Sequence, residues 1–258
     1  MSELVCEVDA EGVALVTLNR PERRNSLTLA LWRELAALYR ELARDERVRS
    51  VILTGAGGHF CAGADISEFP EVRATAEQAR IYSAAVDETN DAILELPKPT
   101  IAVIEGFCMG GGLGLAVAND FRVADADASF SIPAARLGIV YGAKETRNLY
   151  NIVGLSHAKR LLFGAERISA QRAAAINLVD CIAEGKAHEA GRELAARLAE
   201  NAPLSIAGSK LILRQLSTEG VLDMAAIAAA EARAAGSEDY AEAVRAFAEK
   251  RKPTFRGK

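Results

Sequence analysis

Two glycine-rich stretches, Phe60-Cys61-Ala62-Gly63-Ala64-Asp65 and Phe107-Cys108-Met109-Gly110-Gly111-Gly112, each stand where an apolar, strand-like run gives way to helical periodicity. Such loops let the backbone approach a ligand closely, and the helix that follows adds partial positive charge at its N-terminus. Two of them together can aim backbone N–H groups at one anionic oxygen, which stabilises an enolate or oxyanion without a charged side chain. The pattern Phe-Cys-x-Gly recurs at a separation of 47 residues, so the loops read as copies of one strand-loop-helix unit. Neither contains G-x-G-x-x-G, and no G-x-x-x-x-G-K-[ST] occurs in the chain, which argues against a nucleotide-phosphate cradle.

Around these loops the hydrophobic pattern alternates between strand and helix. Residues 5–8 and 13–18 form a predicted hairpin across Asp9-Ala10-Glu11-Gly12, and Leu31, Leu35, Leu38 and Leu42 recur at helical spacing over 28–44. A strand over 48–54 leads into the first loop, and a helix over 75–96 ends at Leu96-Pro97-Lys98-Pro99. A strand over 100–104, the second loop and a buried helix over 113–118 follow, then short strands at 121–124 and 129–132. Beyond Gly142 the chain turns to helical segments at 142–153, 156–163, 169–176, 186–201, 204–217, 221–235 and 237–249. No Gly/Ser linker divides it, so the expectation is an α/β core with a helical C-terminal layer. The segment 224–230, nearly all alanine and larger apolar residues, should be buried in its own core or at a subunit contact.

Composition narrows the function classes. A formal net charge of −4 leaves no electrostatic footprint for nucleic acid. The apolar run 99–118 carries Glu105 and several glycines, which argues against a membrane span. Four cysteines without a Cys-x-x-Cys pair, and an N-terminus without a basic or apolar leader pattern, point to reduced thiols and a cytoplasmic location. No spaced His/Asp/Glu cluster suggests a metal.

Phe-Cys-Ala-Gly-Ala-Asp followed by Gly-Gly-Gly before a buried helix resembles the crotonase, or enoyl-CoA hydratase/isomerase, family. The likeness extends from Leu18-Asn19-Arg20-Pro21 and Asn25-Ser26-Leu27, through Lys98-Pro99-Thr100-Ile101-Ala102 and Leu137-Gly138, to Ile168-Ser169-Ala170 and Glu249-Lys250-Arg251-Lys252-Pro253. It implies a crotonase-like spiral of ββα repeats over 1–195, a helical trimerisation region over 196–258, and a homotrimer or dimer of trimers. The implied ligand is an acyl-CoA, with coenzyme A as part of the substrate and no separate cofactor. By motif position, the backbone N–H groups of Ala64 and Gly111 would bond the thioester oxygen. Ala62, Asp65, Ile66, Gly110, Gly114 and Ala134 would line the CoA and acyl site, and Arg24 and a neighbouring subunit's Lys250 would meet CoA phosphates.

Hydratases of this family carry one glutamate two residues after the Gly triplet and another directly after the proline of Phe-x-x-Pro. Here Gly114 and Ala134 stand at those places. A positioned acid or base is worth roughly 10²- to 10⁴-fold, so their absence argues against efficient hydration. Decarboxylation or isomerisation, which need enolate stabilisation first, becomes the expected chemistry. The alternatives are a hydratase with substitute acid/base residues and a non-catalytic acyl-CoA-binding protein. Tyr141 matches a tyrosine of a decarboxylase in the family, although that enzyme has histidine and glutamate where Ala64 and Gly114 stand. Its phenol could orient a carboxylate or donate a proton. Glu68 and Tyr82 could reach an acyl group but read first as surface residues, His59 as exposed, Lys144 and Glu145 as a solvated first helical turn with entry into the acyl pocket as the alternative, and Asp120 as a cap or brace for a buried turn.

Overall fold

The computed structural model describes residues 2–218 and 220–258. Strands β1 (Leu4–Val8) and β2 (Val13–Leu18) form the expected hairpin, and β2 starts a parallel run through β3 (Ser50–Gly55), β4 (Thr100–Ile104) and β6 (Phe121–Ala124). With β9 (Cys181–Ile182) at the far edge they make a six-stranded sheet in the order β1-β2-β3-β4-β6-β9. A second sheet joins β5 (Phe107–Met109), β7 (Ser129–Ser131) and β8 (Ile168–Ser169). The turns through β4 and β5 and through β6 and β7 each lay one strand in each sheet before a helix, which are the ββα units of a spiral.

The sequence repeat appears in space as pairing between its two copies. Cys61 N–H donates to the Phe107 carbonyl and Met109 N–H to the Cys61 carbonyl, both at 2.9 Å, so Cys61 and Cys108 form a parallel bridge. The second glycine loop therefore begins as a three-residue strand. Such a strand exists only through partners distant in sequence, and its local pattern is too short to show a period.

Helix α1 (Leu29–Arg44) starts where Thr28 accepts from Leu31 N–H, and it buries Leu31, Trp32, Leu35, Tyr39 and Leu42. It packs on α3 (Ala76–Glu95), which Thr75 and Gln78 open with a reciprocal capping box after the one-turn α2 (Phe69–Val72). Helix α4 (Gly111–Ala118) is sheathed on all sides, which explains its lack of polar residues. In α5 (Ala143–Gly164), Gly154 at φ +73° breaks the helical geometry between the two predicted segments.

After the short α6 (Ala170–Ala175), α7 (Ala187–Ala199) covers the other face of the large sheet, against Val13, Ile52, Ile101, Val103 and Val123. Residues 195 and 196 both lie inside α7, so the expected division there falls within a helix that belongs to the sheet layer. The helices beyond it are α8 (Pro203–Thr218), α9 (Met224–Ala235) and α10 (Glu238–Glu249). Of the 224–230 segment only Ile227 is buried within the chain, and Met224 is 64% exposed.

Candidate active site

The two glycine loops border one cavity of about 510 Å³, lined among others by Ala64, Gly111, Ala134, Tyr141 and Glu145. Gly63 (φ +96°) turns the first loop against the second, with the place of a Cβ only 3.2 Å from Gly111 N. Gly110 (φ +51°) is the N-cap of α4, so Gly111 is that helix's first residue, where an N–H has no intrahelical acceptor. A Cβ on Gly111 would stand 3.7 Å from Ala64 N. Both expected donors thus adjoin, and neither N–H finds an acceptor among the described residues.

Ala62, Asp65, Ile66 and Gly110 line the same cavity. Asp65 also braces the loop, because its carboxylate accepts from Arg20 at 3.0 Å and from Ser67, and these partners hold its pKa below the usual carboxylate range despite burial. Arg24 does not line the cavity. It adopts a left-handed conformation and stacks its guanidinium on the Phe107 ring, while Arg23 reaches the cavity rim. Lys250, exposed at the C-cap of α10, lies outside its own chain's cavity.

Several side chains depart from their expected settings. Tyr82 is buried: its hydroxyl accepts from the Trp32 indole N–H at 3.0 Å, and the residue lines the cavity. Glu68 is half-buried and accepts from Leu29 N–H at 2.7 Å, so it serves the start of α1. His59 is half-buried and stacks on Phe107, its Nδ1 accepting from Phe107 N–H. Asp120 does brace a turn, accepting from Thr100 N–H and Lys210. Burial pushes the Cys61 thiol up to about 12 and Cys108 above its ordinary value, so neither is a ready nucleophile.

The largest departure concerns Glu145. Rather than a solvated turn, it is a buried side chain, 5% exposed, on the cavity wall. Its carboxyl fills the room left by two glycines: a Cβ on Gly114 would overlap Oε1, and one on Gly142 would come within 2.6 Å of Oε2. Tyr141 sits beside it, its hydroxyl donating to the Gly110 carbonyl at 3.0 Å and standing 2.9 Å from the place of the Gly114 Cβ. Burial raises the Glu145 pKa to about 7, against the lowering effects of the Tyr141 phenol, the Gly142 backbone and Arg73. Burial and the Glu145 charge together hold the Tyr141 phenol well above its ordinary value, which keeps it protonated. Lys144, its neighbour, points instead to an ion pair with Asp91.

No motif flags Glu145. The only signals in the sequence are its place three residues after Gly142, at the third position of a helix, and the vacancy at Gly114, which become one feature only when α4 and α5 are packed together. Among the described residues no His/Cys/Asp/Glu group is arranged to hold a metal, and no helix is long and apolar enough to cross a membrane.

Comparison with known proteins agrees with this architecture. A family model described as enoyl-CoA hydratase/isomerase matches residues 9–258. A short-chain-enoyl-CoA hydratase of Clostridium acetobutylicum is 36% identical over 252 residues, covering 95% of either chain. The mitochondrial methylglutaconyl-CoA hydratase of Mus musculus is 32% identical, covering 97% of this chain and 82% of its own. Among solved structures, an enoyl-CoA hydratase/carnithine racemase of Magnetospirillum magneticum superposes with a TM-score of 0.94 at 35% identity, over 100% of this chain and 97% of that one.

Proposed function

Since this chain belongs to the enoyl-CoA hydratase/isomerase family, we propose that it acts on an acyl-CoA thioester whose enolate oxygen is held between the N–H groups of Ala64 and Gly111, in isomerisation or decarboxylation rather than hydration. One observation carries the reading: two adjoining, unpartnered backbone donors face a cavity where Ala134 offers no carboxyl, and Gly114, which also carries none, does not line that cavity but lies behind Tyr141 and Glu145. As charge moves onto the thioester oxygen the two hydrogen bonds strengthen, and each such donor is worth about 2.7–4 kcal/mol in the transition state. Coenzyme A enters as part of the substrate, and no other cofactor is required by this step.

Hydration is the second reading, favoured by the names of the relatives. A panel of enoyl-, malonyl-, methylmalonyl- and hydroxyacyl-CoA esters, with products followed by mass spectrometry, separates the chemistries. A shifted double bond or loss of CO₂ is expected. Addition of water to crotonyl-CoA at hydratase rates would overturn the preference, and solvent deuterium at the α-carbon of a bound ester would rule out a pure carrier.

The assembly we propose is a homotrimer or dimer of trimers built through α8–α10. Its support is the apolar surface those helices leave open, with Leu213 65%, Met224 64% and Phe247 88% exposed. Sedimentation equilibrium should return a multiple of three chain masses, and a monomer would refute it. A cytoplasmic location is consistent with the four unpaired cysteines.

A further inference from the structure

We propose that Glu145 is the proton-carrying group of this site, supplying from the first turn of α5 the carboxyl that position 114 lacks. The inference rests on the enolate reading above and names the group that makes and quenches the enolate.

Three observations of different kinds converge on it. The first is steric: the Glu145 carboxyl occupies the room a side chain on Gly114 would need, and Gly142 leaves it a passage, so the two glycines and the glutamate form one fitted unit. The second is the unpaired state of Oε1, which is buried without a hydrogen-bond partner among the described residues. A glutamate serving only to cap α5 would keep its oxygens solvated or paired, because burying an unpaired carboxyl oxygen costs free energy. The third is position, since Glu145 shares the cavity wall with Ala64, Gly111 and Tyr141.

The surroundings suit a group that must both take and return a proton. Tyr141 stands next to the carboxyl on its own segment. From α3 comes Asp87, itself raised by burial, and from the segment after α2 comes Arg73, whose guanidinium lies over the Phe69 and Tyr82 rings. Lys144 and Arg147 belong to the same helix, with Lys144 committed to Asp91. The nearby charges oppose one another, Asp87 raising the carboxyl's pKa and Arg73 lowering it, while burial dominates and leaves it near 7. Both protonation states are then accessible at neutral pH, as general acid–base work requires.

The step balances with one group. The Glu145 carboxylate takes the α-proton of a 3-enoyl thioester: the C–H bond breaks, its electron pair becomes part of the dienolate, and the negative charge rests on the oxygen between Ala64 and Gly111. The protonated Glu145 then returns the proton to the γ-carbon, the double bond moves into conjugation, and the carboxylate is regenerated. Nothing is oxidised or reduced.

The test uses vinylacetyl-CoA in D₂O with the full-length protein, following double-bond migration and deuterium uptake by mass spectrometry. Glu145→Gln should slow both by about 10²–10⁴-fold with binding of the ester within a few-fold of the parent, and Glu145→Asp should recover part of the rate. The parent's rate should rise with pH through about 7, because the carboxylate is the active form. Should Glu145→Gln fold poorly, Gly114→Ala provides the second arm: its methyl group displaces the carboxyl while leaving the glutamate in the chain, and the same loss is expected. Undiminished exchange in a folded Glu145→Gln protein, or a Glu145 carboxyl signal that titrates by NMR in the ordinary glutamate range, overturns the assignment while leaving the enolate reading intact. A parent protein that binds the ester but neither moves its double bond nor takes up deuterium, and that releases no CO₂ from malonyl- or methylmalonyl-CoA, overturns both.

Discussion

Gly111→Pro should lower kcat/KM for any enolate-forming turnover by about 10²–10³-fold, the cost typical of losing one oxyanion donor. Proline deletes the N–H that the proposed oxyanion hole requires, and the helix has no other use for it. Gly111 is the first residue of α4, a position where proline is well tolerated because the missing N–H has no intrahelical acceptor. Proline also restricts its predecessor to extended backbone. Gly110 already lies in the mirror image of that region, at φ +51° and ψ −119°, which glycine alone adopts without strain. The steric control is Gly111→Ala, which introduces the same Cβ, 2.9 Å from Trp32 Cζ2, but keeps the donor. Steady-state kinetics on the two variants separates the hydrogen bond from the volume. The alanine variant should lose far less than the proline variant, and equal losses would mean that crowding against Trp32, rather than the missing N–H, sets the rate.

How far the sequence foretells this site depends on the range over which each feature is encoded. The donors are visible because a glycine loop between strand and helix is a local pattern, and its recurrence at Phe60 and Phe107 exposes the repeat. The start of α1 is visible for a similar reason, since Thr28 and the leucine spacing behind it are neighbours in the chain. Strand β5 reads as loop because its ladder partners are Cys61 and the residues of β7. Tyr82 reads as surface because what buries it is Trp32, fifty positions away. Glu145 shows the same limit most sharply. Absence of a carboxyl at position 114 is a statement about one residue, whereas the chemistry depends on what fills the space beside it. A glycine can mark a missing group or make room for one arriving from elsewhere, and only the packing of α5 on α4 distinguishes them.

Trp32→Ala should be the most damaging single change to stability near the site, at about 3–5 kcal/mol for deletion of a fully buried indole. Trp32 is 1% exposed and joins three parts of the molecule. Its indole N–H donates to Tyr82, its carbonyl accepts from the Thr89 hydroxyl at 2.7 Å, and its ring edge backs Gly111. Truncation removes the packing between α1 and α3 and leaves the Tyr82 hydroxyl without its donor. For a chain of this size, thermal unfolding should move down by roughly 6–20 °C. Trp32→Phe keeps most of the ring and loses the N–H, so a cost of about 1–3 kcal/mol is expected. Activity adds a second measurement. Because the ring buttresses the first turn of α4, Trp32→Ala frees the Gly111 N–H to wander, and kcat should fall even at temperatures where circular dichroism shows the variant fully folded. Retention of parental kcat under those conditions would mean that the glycine loops hold the donor without the tryptophan, and that Trp32 serves the core alone.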